Sequence, residues 1–191
     1  MEYETEIIFE NMQNLVTYQG YTLDEKLEFK TILEVYKKDK SFIVTGTREI
    51  GEKKDFIVVV FLTKKSNIHK NFTSFIKTLK PNTKCYKILE SDNTIFDTGS
   101  NIIVIFINKK RLLFNFPTHC LFVKSKVISK ETDIAFKQFL EFNNLSVKML
   151  GMIRQKDTMV VWSGGYVGEI LQIFIPSYTC GEIIDYRVII N

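Results

Sequence analysis

The sequence predicts an α/β fold with α and β layers: a mixed-sheet N-terminal domain followed by a smaller α/β domain. Three observations point there. Segments with apolar residues at helical spacing alternate with continuous apolar runs of strand length. The runs are dominated by Ile, Val and Phe, as in FIVVVFL from Phe56 to Leu62, which is the composition of strands buried on both faces. The alternation then starts afresh at Pro117, which puts a boundary near residue 116 and divides the chain into 1–116 and 117–191.

The first helix is predicted from Ile8, Met12, Leu15 and Gln19, flanked by Ile7 and Val16, and it ends at Gly20. Thr22 and Glu25 have capping-box spacing and predict a second helix burying Leu27, Ile32, Leu33 and Tyr36. Ser41–Arg48 is β-like, Gly51 sits in a polar turn, and Phe56–Leu62 is a buried strand. Asn67–Leu79 places Ile68, Phe72, Phe75, Ile76 and Leu79 on one helical face, and Pro81 stops it. Cys85–Leu89 is a short strand, residues 91–101 a loop, and Ile102–Ile107 and Leu112–Phe116 flank a basic turn, NKKR.

In the second domain Leu121–Ile128 is a strand and Ser129 an N-cap. A helix follows over Glu131–Phe142, with Ile134, Phe136, Phe139 and Leu140 along it. A loop-rich stretch and a glycine cluster around Gly164, Gly165 and Gly168 lead to two strands, Ile170–Ile175 and Ile183–Ile190, joined by PSYTCG.

At 191 residues, 45% hydrophobic and 25% charged, the chain can bury a sizeable core, and a mostly disordered chain is excluded. No run approaches 18 apolar residues, and the acidic start MEYETEIIFE lacks signal-peptide form, so neither membrane span nor secretion is expected. Cys85, Cys120 and Cys180 are odd in number and far apart, which suits a reducing compartment and makes no zinc site. Usage is heavily biased: 22 Lys against 4 Arg, and Ala135 as the only alanine. Against that background the few Arg and Pro positions carry information.

The net charge of +4 is modest, yet charge is organised locally. Between Phe56 and Leu89 lie Lys64, Lys65, Lys70, Lys77, Lys80, Lys84 and Lys87 with no acid. Lys70 and Lys77, seven apart, share a predicted helix face. A second acid-free stretch, Thr98–Lys130, holds Lys109, Lys110, Arg111, Lys124, Lys126 and Lys130. Such lysines suit salt-sensitive phosphate contacts, or simply a solvated face of a lysine-rich protein. Searches for chemistry return little. Gly164, Gly165 and Gly168 lack dinucleotide-binding spacing. Asp24-Glu-Lys26 and Glu52-Lys-Lys54 supply only the letters of a Mg²⁺ nuclease, in polar surface-like contexts. His119 and Cys120, adjacent on a strand, would face opposite sides.

The most informative stretch is the end. From Gly168 it runs through Ile173, Pro176, Ser177, Thr179 and Gly181 to Tyr186 and Arg187: a strand, an irregular turn and a returning strand. Pro176 fixes φ, Gly181 admits a left-handed angle, and Ser177 and Thr179 can bond loop amides. This pattern resembles the C-terminal assembly domain of the fifth common subunit of eukaryotic RNA polymerases, a family with a small archaeal relative. Its ending, G-x-V-V-x-I-x-R-P-S-x-T-A-G-x-Y-x-x-Y-R, is matched at those eight residues. Upstream, Leu150, Ile153, Asp157 and Gly164 fit further family positions, as do His119, Leu121, Lys124 and Ser129. The chain departs from the pattern at Ile175 for Arg, Cys180 for Ala, Thr158 for Pro and Val123 for the Pro before Lys124. Over 1–116 the likeness is looser and rests on a first helix ending in Gly20-Tyr21. The biased composition and small size resemble a large-DNA-virus, poxvirus-like copy.

The resemblance implies a non-catalytic polymerase subunit with no metal and no cofactor of its own. Its N-terminal domain would be jaw-like and its C-terminal domain an assembly domain. The latter would dock on the largest subunit through His119, Lys124, Asp157, Gly168, Pro176, Ser177, Thr179, Gly181, Tyr186 and Arg187. The jaw would lie near downstream duplex DNA, with Lys64, Lys65, Lys70 and Lys77 facing it. Expected partners are the other polymerase subunits and DNA, not a membrane. The expected location is intracellular: host cytoplasm and virion for a viral copy, otherwise the nucleus. Two other classes stay open, a stand-alone basic nucleic-acid-binding module and a Mg²⁺-dependent nuclease.

Overall fold

The computed structural model describes residues 2–25, 28–50, 53–63, 71–89, 96–97, 102–119, 122–128 and 133–191. The α/β class holds, and the chain divides into two compact units, Met1–Asn115 and Phe116–Asn191.

In the first unit α1 (Glu2–Tyr18) buries Ile8, Phe9, Met12, Leu15 and Val16. It ends as the glycine signal requires: Gly20 has φ +79°, and its amide and that of Tyr21 return to the carbonyls of Thr17 and Val16. The capping-box expectation fails. Thr22 lies in a two-residue strand, β1 (Thr22–Leu23), paired antiparallel with Thr47 of β2 (Ser41–Ile50). The second helix, α2 (Phe29–Asp39), starts after Glu28, whose side chain makes no cap bond. Thr-x-x-Glu spacing is a local signal, and here strand pairing takes the threonine's backbone instead. Leu27 lies outside the described residues.

The hairpin of β2 and β3 (Lys53–Leu62) leads through α3 (Phe72–Lys77) to β4 (Thr83–Leu89), then β5 (Phe96–Asp97) and β6 (Ile103–Asn108). Among the described residues they form a six-stranded sheet of order β1-β2-β3-β4-β6-β5, parallel where β4 meets β3 and β6. One face meets α1 and α2, where Phe42 stacks on Phe61 at 4.8 Å and meets Phe9 edge-on at 5.4 Å. The other buries Val58, Val60, Leu62, Cys85 and Val104 with Ile76 of α3. Only 72–77 of the expected 67–79 helix is described as helix; residues 64–70 lie outside the described set. NKKR does not join two strands. Lys109–Leu112 is a 3-10 turn, and Leu112 is fully buried, its carbonyl accepting a hydrogen bond from Asn11 of α1 at 2.8 Å. Leu112–Phe116 therefore packs as a turn rather than a strand.

The second unit is a four-stranded sheet of order β7-β9-β10-β8: β7 (Lys124–Ile128), β8 (Gly151–Arg154), β9 (Ile170–Ser177) and β10 (Gly181–Ile190). The helix α4 (Ile134–Phe142) covers one face with Phe136 and Phe139 against Tyr186. Its cap is Asp133, which accepts from the Phe136 amide at 2.9 Å; Ser129, the expected cap, lies outside the described residues. The short helix α5 (Thr158–Ser163) belongs to the stretch read as loop. It buries Val160, Val161 and Trp162, and Val160 joins Leu171, Ile173 and Ile189 in a core on the other face. The strand β8 lies in that same stretch; it pairs parallel with Arg187–Ile190 of β10.

Among the described residues no helix is long and apolar enough to cross a membrane, and no cluster of three His, Cys, Asp or Glu could hold a metal.

Candidate docking surface

The hairpin of β9 and β10 carries most of the residues expected at the docking surface. Ser177 pairs with Gly181 across a three-residue turn. There the Ser177 hydroxyl accepts from the Thr179 amide at 3.4 Å and meets the Thr179 hydroxyl at 3.2 Å. Gly181 sits at φ +78° with open space where a Cβ would project. Its requirement for glycine is thus purely the left-handed backbone angle that ends such a turn. Pro176, Thr179 and Gly181 are exposed, and Tyr178 at the tip is fully so. Further along, Arg187 Nε donates to Asp185 at 2.9 Å; both side chains are more than a third exposed, so this pair adds little stability and remains accessible. Lys124 is exposed on β7, opposite Phe174 of β9, which itself pairs with Ile184.

The other expected residues lie elsewhere. Asp157 caps α5, its carboxylate accepting from the Met159 amide at 2.9 Å. Gly168, at φ +90°, donates its amide to Ile189 at the far end of the sheet. His119 is exposed in the turn before β7. Tyr186 is placed inside the unit rather than on its surface, 5% exposed against Phe136 and Phe139, and its hydroxyl accepts from Gln172 at 3.1 Å. Burial raises its pKa, the Gln172 bond opposes that, and Asp133 adds to the rise. Its work is core packing. The residues sequence reasoning missed are Ile183 and Ile184, 48% and 43% exposed. An Ile-Ile pair in a strand puts one apolar side chain on each face, a signal present in the sequence.

The basic stretch of the first unit is less uniform than its sequence. Lys77 and Lys80 are exposed, while Lys64, Lys65 and Lys70 lie outside the described residues. Lys87 is buried, its ammonium 3.9 Å from the Phe72 ring centre and 5.6 Å from that of Phe106, so it cannot face a duplex. Burial lowers its pKa, with Cys85 opposing, and burial pushes the Cys85 thiol up to about 12. Cys180 is exposed at the hairpin turn. Alkylation with iodoacetamide at pH 8 should therefore modify Cys180 and spare Cys85 in the folded chain, read by peptide mass mapping; equal labelling would contradict this packing. Of the nuclease letters, Asp24 and Glu25 line a cleft of about 160 Å³ beside Phe9 and Gln13, while Lys26 and Glu52 lie outside the described residues.

Residues 114–189 match the family model described as RNA polymerase Rpb5, C-terminal domain. The C-terminal unit is similar to an Rpb5 C-terminal domain. The match begins two residues before the unit and ends two residues short of its last residue, so unit and family domain coincide. No curated protein matches the sequence. Over this stretch the chain is similar to a domain of an RNA polymerase subunit. Within the C-terminal unit, the hairpin with Pro176, Ser177, Thr179 and Gly181 is an exposed projection whose turn is shaped by residues with little packing duty.

Proposed function

We propose that the chain is a non-catalytic subunit of a multisubunit DNA-dependent RNA polymerase. It docks on the largest subunit through its Rpb5 C-terminal domain, and its N-terminal unit, a jaw, lies near downstream DNA. The observation that carries this reading is the β9–β10 hairpin: its Pro, Ser, Thr and Gly build a defined turn, yet Pro176, Tyr178, Ile183 and Ile184 are left in solvent. Side chains held in order but not buried at home suit burial against a partner. Nucleotide addition belongs to the large subunits, and this chain contributes no metal ligand. The composition supports a viral copy working in host cytoplasm and carried in the virion.

Affinity purification of the tagged chain from its native source should recover the polymerase, with the largest subunit as its direct cross-linking partner. Recovery of the chain outside any polymerase complex would overturn the proposal. Arg187→Ala should weaken association with the largest subunit about tenfold, a loss of about 1.4 kcal/mol. Neutralising Lys64, Lys65, Lys70 and Lys77 together should weaken DNA engagement of the assembled enzyme and flatten its salt dependence. An unchanged salt slope would assign these lysines to solvent.

A further inference from the structure

We propose that the Rpb5 domain binds its neighbour by strand addition: an extended segment of another polymerase subunit pairs with the outer edge of β10 at Glu182–Tyr186, in line with β8. This rests on the polymerase-subunit reading and specifies how that docking surface works.

Backbone hydrogen bonding assigns the two sides of β10. The Ile189 amide donates to Glu169, and the Ile189 carbonyl accepts from Gly168, both on the β9 side; the Ile190 carbonyl accepts from Gln155, on the β8 side. Antiparallel pairing alternates, so odd-numbered residues of β10 bond toward β9 and even-numbered ones point away. The strand β8 covers the outer edge only at Arg187–Ile190. The Glu182 amide is taken by the Cys180 carbonyl in the turn at 3.0 Å, so the outward groups of a strand that β9 already holds in register along Gly181–Val188 are the Glu182 carbonyl and the amide and carbonyl of Ile184.

The neighbouring edges are guarded, and this one is less so. The edge strand β7 carries exposed Lys124 and Lys126, and β8 has only four residues. Where β9 runs past β7, the outward-pointing position is Pro176, which has no amide to offer. Lysines, short strands and prolines are the devices that keep strand edges from pairing. By contrast, among the described residues β10 presents the Glu182 carbonyl and the Ile184 amide and carbonyl, flanked by exposed Ile183 and Ile184, one on each face.

Charge selects the occupant. A second copy of this chain would pair edge to edge, antiparallel about a two-fold axis. Centring on Ile184 sets Ile183 opposite Asp185, and centring on Ile183 sets Ile184 opposite Glu182, so either register places an isoleucine against an acid. A different segment with two consecutive apolar residues opposite Ile184 and Ile183, then a basic one opposite Glu182, meets all three. The Asp185 carboxylate is already engaged by Arg187.

Residue-resolved amide exchange on the assembled polymerase, compared with the isolated chain, tests this. Exchange at Ile184 should slow at least about tenfold on assembly, while Ile183 and Asp185, bonded to β9 throughout, change little. If the chain is in the complex and Ile184 exchanges as before, strand addition is wrong and the subunit reading stands. Absence of the chain from any polymerase would sink both. Protection of the Ile184 amide in a concentration-dependent dimer would make a second copy the occupant and overturn the proposal. Ile184→Pro deletes one outward amide and leaves the odd-numbered ladder to β9; it should reduce association with polymerase at least about tenfold. Ile184→Val should assemble normally. Wild-type assembly of a folded Ile184→Pro chain would overturn the proposal, and the exchange pattern decides should that variant not fold.

Discussion

Trp162→Ala is expected to unfold the C-terminal unit at physiological temperature, or leave it barely folded. The indole is fully buried on α5, a helix of six residues held to its sheet by Val160, Val161 and Trp162. Truncating a buried tryptophan costs about 3–5 kcal/mol. A unit of 76 residues has roughly 4–11 kcal/mol in total at the usual stability per residue. The loss is therefore comparable with the whole, and amide exchange across β9 and β10 should become fast. Association with polymerase should fall with it. A variant whose β9–β10 amides stay as protected as wild type would show that α5 is dispensable to the sheet.

Gly46→Val should have a similarly large effect in the first unit. A Cβ at Gly46 would stand 2.6 Å from the Val16 side chain of α1 and 2.9 Å from the Thr22 carbonyl of β1. The valine methyl could rotate away, but the carbonyl is backbone, so β1 or the helix must shift. Overpacking of this kind costs about 1–3 kcal/mol, and the added methyls of valine put the expectation at the upper end. The check is the urea midpoint, read by the loss of α1 helix signal in far-UV circular dichroism. A midpoint equal to that of the wild type would show that α1 does not press on β2 at Gly46.

Legibility differs from element to element for physical reasons. The helix α1 is readable because five apolar residues recur at helical spacing and a glycine stands where the left-handed turn occurs. The strands β3 and β6 are readable as continuous apolar runs too short for helices. By contrast, β8 offers four residues, too few to show a period, and exists because β10 supplies a parallel partner. The helix α5 is under two turns of TMVVWS, whose paired valines favour strands on their own. Its state is decided by the Asp157 cap and by the burial of Trp162. Lys87 misleads as a charge in a basic run, though it stands two residues from buried Cys85 and Leu89 on one strand face.

The candidate site shows the same division. Pro176, Ser177, Thr179 and Gly181 are legible because each restricts its own backbone or bonds its near neighbours, so their meaning is local. Tyr186 and Arg187 are legible as a pair on opposite faces, but only the tertiary structure decides which of them faces the core.

By itself the sequence determined the α/β class, the hairpin turn and the likeness of the second unit to the Rpb5 C-terminal domain. These follow from periodicity, from φ restrictions and from an irregular motif, all of which act over a few residues. The tertiary structure alone decided which strand edge remains unpaired, which lysine is buried and which helix face meets the sheet. Those outcomes depend on partners distant in the chain, and no local preference encodes them. The α/β layering that the alternation of segments predicted is thus real, while among the described residues the outer edge of β10 before Arg187 is left open because β8 covers only Arg187–Ile190.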